Sequence, residues 1–237
     1  MTTLIGIKVE KGELGVILAS DLSRTQTEWK PQGDVAYRQQ TKSEGQKIHV
    51  DDKGEIAVCM SGVFDQPYVD FLSALLEGDI NVKKAIKKGC FQELLQLNLA
   101  RWCGKTPDQN YINGLLLATR FKGQPKLYTC FPLGKIEERY WTSLGSGSGY
   151  ALEHIAKQDK LIPRRLSLND GIGLIVDALD ESSQDIHTCG LDLIVVNKDK
   201  IVEYGETVKT AITDARTKAI KDIKAQYSGK PRTARKK

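Results

Sequence analysis

The sequence predicts an α+β fold: two antiparallel sheets with helices on their outer faces, a four-layer αββα sandwich. Three observations predict it. The elements run strands, two helices, strands, two helices, strands, and not in the regular βαβ alternation of a parallel sheet. The strands come in pairs around short polar turns, as hairpins do. The first two strands are apolar at nearly every position, as expected for a sheet covered on both faces.

Residues 3–9 and 14–20 form the first predicted hairpin, turning at Glu10-Lys11-Gly12-Glu13, with Asp21 directly after its second strand. Residues 22–44 are polar and aperiodic, broken at Pro31-Gln32-Gly33. They read as a long loop, and a loop of that length in a compact domain usually serves function. Residues 47–50 and 55–60 form a second hairpin around Asp51-Asp52-Lys53-Gly54, ended by Ser61-Gly62. A helix is predicted over 65–77, from Tyr68, Phe71, Leu72 and Leu75 at helical spacing. A second is predicted over 81–103, from Val82, Ile86, Cys90, Leu94 and Leu97, with Gly89 weakening its middle.

Strands are predicted over 111–120, 125–131 and 139–144. The glycine-rich turn Gly145-Ser146-Gly147-Ser148-Gly149 precedes a helix at 150–158. A further helix covers 167–182, with Ser167 as its N-cap. Residues 191–196 and 200–204 close the sheets as a hairpin. Residues 206–226 read as an amphipathic terminal helix, with Val208, Ile212, Ala215, Ala219 and Ile223 on one face. The expected organisation is one domain over residues 2–205, a C-terminal helix over 206–227 and a basic, disordered tail over 228–237.

Composition narrows the function classes. At 237 residues, 40% hydrophobic and 27% charged, the chain has the make-up of a water-soluble globular protein. No apolar run reaches the ~20 residues that span a bilayer, which argues against a membrane partner. The start lacks the basic and apolar regions of a secretory signal. The cysteines are five, scattered and without CxxC spacing, which fits a reducing cytoplasm. The three histidines lie far apart, so neither a metal nor another cofactor is expected. The net charge of +5 matches the five basic residues of Lys230, Arg232, Arg235, Lys236 and Lys237. The body is therefore close to neutral, which argues against nucleic acid as the main partner.

The first strand carries the candidate chemistry. Thr2 follows the initiator methionine, and removal of Met1 would leave a threonine with a free α-amine. Its hydroxyl can attack, and its amine, with an ordinary pKa of about 7.7–8.0, can take the proton near neutral pH. Other single signals have ordinary readings. A strand-end aspartate such as Asp21 caps turns, a lysine such as Lys47 at a strand start is usually a solvated edge charge, and a glycine-rich turn before a helix can cradle phosphate. The turn here lacks the Lys-Ser/Thr of a phosphate loop.

Taken in order, these pieces resemble the proteasome β-subunit family of N-terminal nucleophile hydrolases, over about residues 2–205. Thr2-Thr3-Leu4 is similar to the family's mature start. Gly15-Val16-Ile17-Leu18-Ala19-Ser20-Asp21 is similar to its second strand, and Lys47-Ile48 to its lysine at a strand head. Met60-Ser61-Gly62 resembles the segment bearing its oxyanion glycine. Gly145-Ser146-Gly147 resembles its Gly-Ser-Gly turn, and Asp185-Ile186-His187-Thr188-Cys189-Gly190 stands where it has Asp-x-x-Ser-Gly-Gly.

The resemblance implies the N-terminal nucleophile hydrolase fold and a threonine-type endopeptidase working through an acyl-enzyme. Thr2 would be the nucleophile and Lys47 would favour its alkoxide. Asp21 would orient Lys47, and Gly62 N–H would meet the oxyanion. Ser146, Asp185 and Thr188 would surround the amine, and Met60 and His49 would lie at the substrate pocket. It further implies a peptide or unfolded-protein substrate, a homo-oligomeric ring, and an α-type ring or ATPase as further partners. The absence of residues before Met1 implies maturation by an aminopeptidase alone. The departures are the long 22–46 segment, His49, Cys189 and the C-terminal extension, which mark a divergent member. Two other functions use the same residues: an amidase or transpeptidase on this scaffold, or a catalytically silent ring-forming subunit.

Overall fold

The computed structural model describes residues 2–32, 35–62, 66–91, 93–94, 97, 114–121, 123–131, 136–158, 166–184, 190–204, 214, 218 and 221. Two five-stranded antiparallel sheets form its centre. The first runs in the order β10 (Trp141–Gly145), β1 (Thr3–Val9), β2 (Gly15–Ser20), β11 (Asp192–Asn197), β12 (Ile201–Glu203). The second runs β5 (Ile48–Val50), β6 (Ile56–Ser61), β7 (Gly114–Phe121), β8 (Gln124–Cys130), β9 (Glu137–Arg139).

Alternation along each strand builds three apolar layers. Leu4, Val16, Leu18 and Ile194 of the first sheet meet Ile48, Ala57, Leu116 and Leu127 of the second. The opposite faces of β1, β2 and β11 send Ile5, Ile17 and Leu193 against α3 (Ser148–Ala156) and α4 (Leu168–Ser182). The outer face of the second sheet sends Val58, Met60 and Leu117 against α1 (Gln66–Glu77) and α2 (Val82–Lys88). The expected αββα sandwich is therefore the observed one.

Local signals explain several boundaries. Ser167 caps α4 through a capping box with Asp170: its hydroxyl accepts the Asp170 N–H at 3.2 Å. α2 stops at Lys88 because Gly89 takes φ +73, the left-handed state that ends helices. The single helix expected over 81–103 is thus interrupted at Gly89, with helical backbone again at 91, 93, 94 and 97.

Two further expectations are corrected. The strand expected over 139–144 is two strands: β9 lies in the second sheet and β10 in the first, with the crossing at Tyr140. Strand-forming residues mark extended backbone but not the sheet it joins. Residues 22–44, expected as an irregular loop, form a two-stranded ribbon of β3 (Ser23–Gln32) and β4 (Val35–Glu44). It pairs in register from Ser23↔Glu44 to Gln32↔Val35. Ten residues per strand reach about 33 Å. The ribbon is a separate two-stranded sheet, and its sequence lacks the polar–apolar alternation that marks a strand. Its β-forming residues, among them Thr25, Thr27, Trp29, Tyr37 and Thr41, are the signal present in the sequence. The terminal helix expected over 206–226 lies outside the described residues, apart from helical backbone at 214, 218 and 221, and the tail lies outside them entirely.

Candidate active site

The site forms where β1 begins, β2 and β10 end, and β5 and β11 begin. Antiparallel pairing brings these ends together. The β1–β2 register sets Leu4 opposite Ser20, so the next residues, Thr3 and Asp21, also meet. Asp21 N–H donates to the Thr3 carbonyl at 3.1 Å, and Thr3 N–H donates to Asp21 Oδ1 at 2.6 Å. The carboxylate is thereby fixed against the head of β1, one residue from Thr2.

Asp21 Oδ2 accepts from Lys47 Nζ at 2.9 Å and from Ser23 N–H at 3.0 Å. The pair is dry: Asp21 is 0% and Lys47 1% exposed. Burying two charges costs several kcal/mol per ion, recovered only when further hydrogen bonds satisfy both groups. Asp21 has three such donors, two amides and the ammonium. The ribbon leaves from this point. β3 starts two residues after Asp21, β4 ends three residues before Lys47, and Gly45 N–H donates to the Leu22 carbonyl at 2.9 Å.

Gly145 closes the other side. It pairs with Thr3 at the end of β10, with φ +100, and a Cβ built there would lie 1.6 Å from the Thr2 carbonyl oxygen. Only glycine permits that approach, which fixes where Thr2 lies. Thr2 itself is 6% exposed. Ser143 Oγ donates to the Leu4 carbonyl at 2.7 Å and ties β10 to β1 beside it.

The structure thus brings Asp21 and Lys47 together at Thr3, the residue next to Thr2. Ser146 follows Gly145 directly, in the exposed turn before α3. Gly62 is the first residue beyond β6, exposed and with φ +117. Met60 is buried in the layer between the second sheet and α1, and His49 is half-buried on β5, opposite Val58. Asp185 and Thr188 lie outside the described residues.

One further group at the site carries no motif in the sequence. Asp192, the first residue of β11, is buried, and its Oδ2 accepts Lys47 N–H at 3.2 Å and Ile48 N–H at 3.1 Å. Burial pushes its carboxyl above the usual aspartate range. The Ile48 and Lys47 amides, then the charges of His49 and Lys47, pull it part of the way back. The signal was a lone acid in the apolar run Leu191-Asp192-Leu193-Ile194-Val195-Val196. Nearby Cys59 is fully buried, which pushes its thiol far up, so it stays protonated.

Among the described residues, no helix is long and apolar enough to cross a membrane. Residues 80–196 match the family model described as proteasome subunit. That stretch runs from α2 through β11, so it includes Gly145, Ser146 and Asp192 while Thr2, Asp21, Lys47 and Gly62 precede it. No curated protein matches the chain.

Proposed function

The chain belongs to the proteasome subunit family, and from that premise we propose that it is a threonine-type endopeptidase acting from Thr2 once Met1 is removed. The observation that carries this reading is the buried Thr3–Asp21–Lys47 network at the head of β1. That network supports the reading because Thr3 directly follows Thr2, whose hydroxyl and, once Met1 is removed, α-amine would then lie next to the Asp21–Lys47 pair.

The chemistry follows from those groups. Thr2 Oγ attacks the scissile carbonyl while its proton passes, through a water, to the α-amine. The Lys47 ammonium favours the developing alkoxide and disfavours a second positive charge on the amine. Gly62 N–H meets the oxyanion, a contact worth roughly 3–4 kcal/mol in comparable sites. The C–N bond breaks as the amine returns its proton to the leaving nitrogen. Water then hydrolyses the Thr2 ester and restores the hydroxyl. Ser146, Asp185 and Thr188 form the polar surround of the amine, and Met60 and His49 border the substrate side chain. The same reading implies peptide or unfolded-protein substrates, a cytoplasmic setting and a ring of like subunits.

The test is intact mass after incubation with an epoxyketone or β-lactone that reacts with N-terminal threonine, run beside Thr2→Ala. Loss of Met1 with one adduct on the unsubstituted chain alone is expected. Retention of Met1 with no adduct moves the weight to a silent ring-forming subunit.

A further inference from the structure

Lys47 is held at two points by two aspartates. Asp21, from the end of β2, takes its ammonium. Asp192, from the start of β11 and 145 residues along the chain, takes its main chain together with that of Ile48. The second grip crosses between the sheets, because β11 belongs to the first and β5 to the second.

We propose that Asp192 is a positioning residue: by accepting both amides at the head of β5 it sets where the Lys47 ammonium stands relative to Asp21 and Thr2. A lysine reaching a dry site has many rotamers, and only a fixed Cα makes one of them the resting state. A 1 Å misplacement of a catalytic group costs about 100-fold in rate. Two consecutive amides converging on one buried oxygen supply that fixed point.

The surroundings of Asp192 make the grip sensitive to pH. His49 on β5, Lys47 at its head and Cys59 of β6, opposite Ile48, are the titratable groups around it. Ser20 of β2 is its cross-strand partner, and the Ser20 hydroxyl is buried without a hydrogen-bond partner among the described residues. Burial raises the pH at which Asp192 takes up a proton. Protonation replaces charge-assisted hydrogen bonds by neutral ones of about half the strength. The hold on Lys47 therefore loosens as pH falls through the Asp192 titration.

This inference rests on the peptidase reading for its catalytic consequence, and two readouts on the full-length chain separate the two. The first is the pH titration of the Lys47 and Ile48 amide resonances by NMR. Both should move along one curve with a midpoint above the usual aspartate range, and Asp192→Asn should abolish that curve. The second is the rate of epoxyketone addition at Thr2. Asp192→Ala should lose about 100-fold, whereas Asp192→Asn, which keeps an acceptor oxygen, should stay within about threefold at neutral pH. Amides that do not titrate with Asp192, or an Asp192→Ala chain that reacts at the unsubstituted rate, overturn the positioning role. Titrating amides in a chain that never takes the adduct retire the peptidase reading and leave the clamp on Lys47 standing.

Discussion

The two ends of the first sheet treat charge in opposite ways. At the turn between β1 and β2, Lys8 pairs with Glu10 at 3.0 Å and Asn197 donates to Glu13 at 3.0 Å, with the turn residues reaching water. At the other end of the same strands, Thr3, Ser20 and Asp21 are 0% exposed and a lysine is buried with them. The Lys8–Glu10 pair is only partly covered and stays in reach of water, so it contributes about 1 kcal/mol or less. A buried pair is rarely more stabilising than apolar residues of the same size. Stability therefore does not explain a lysine in the dry end, whereas the role proposed for Lys47 at the head of β1 would.

The largest test of this contrast is Lys47→Met. It leaves Asp21 buried without its cation and should cost about 3–5 kcal/mol in urea unfolding. The double variant Asp21→Asn/Lys47→Met should recover part of that stability while remaining unreactive toward epoxyketone. A double variant that still took the adduct at the unsubstituted rate would remove the pair from the mechanism. Gly145→Ala comes next. Its methyl must displace the Thr2 carbonyl and its φ is strained, so a loss of about 1–3 kcal/mol is expected, with adduct formation slowed about 100-fold.

The pH dependence is subtler and its sign is definite. The folded chain holds the Asp192 proton to higher pH than the unfolded chain does. Between the ordinary aspartate value and that raised value, the folded state binds more protons, so the contribution of Asp192 to stability falls as pH rises. Asp192→Asn should flatten this decline in urea midpoints measured across the mildly acidic range. A slope unchanged by the substitution would assign the decline to other groups.

The smallest effects distinguish the ends again. Ser20→Ala removes a buried hydroxyl that has no partner among the described residues, and should be neutral or stabilising by up to about 1 kcal/mol. Glu10→Ala at the wet end should change stability by less than about 1 kcal/mol and leave adduct formation untouched. A large effect of Glu10→Ala would erase the distinction between the two ends.

Much of the fold was legible before the structure. The alternating faces of Leu4, Ile5, Leu18 and Ile17 depend on strand periodicity, which a sequence displays directly. Ser167 announced α4 as its N-cap. The ribbon of β3 and β4 is not legible in the sequence, because its residues show no polar–apolar alternation and its strands pair with each other in a register no local pattern records. The split at Tyr140 was missed because choosing between two sheets is a long-range matter. At the site, Asp21 and Lys47 had ordinary readings taken singly and gained roles only through the family resemblance, whereas Asp192 read as one acid inside a strand.

The sequence by itself determined most of the order of elements and the apolar faces that force two sheets and two helical layers together. These are consequences of spacing and residue chemistry within a few positions. Only the tertiary structure decided which aspartate meets which atom of Lys47. Asp21 takes its ammonium from 26 residues away and Asp192 its amide from 145 residues away. Contacts over such separations depend on sheet register and on how the sheets stack, which no local pattern records.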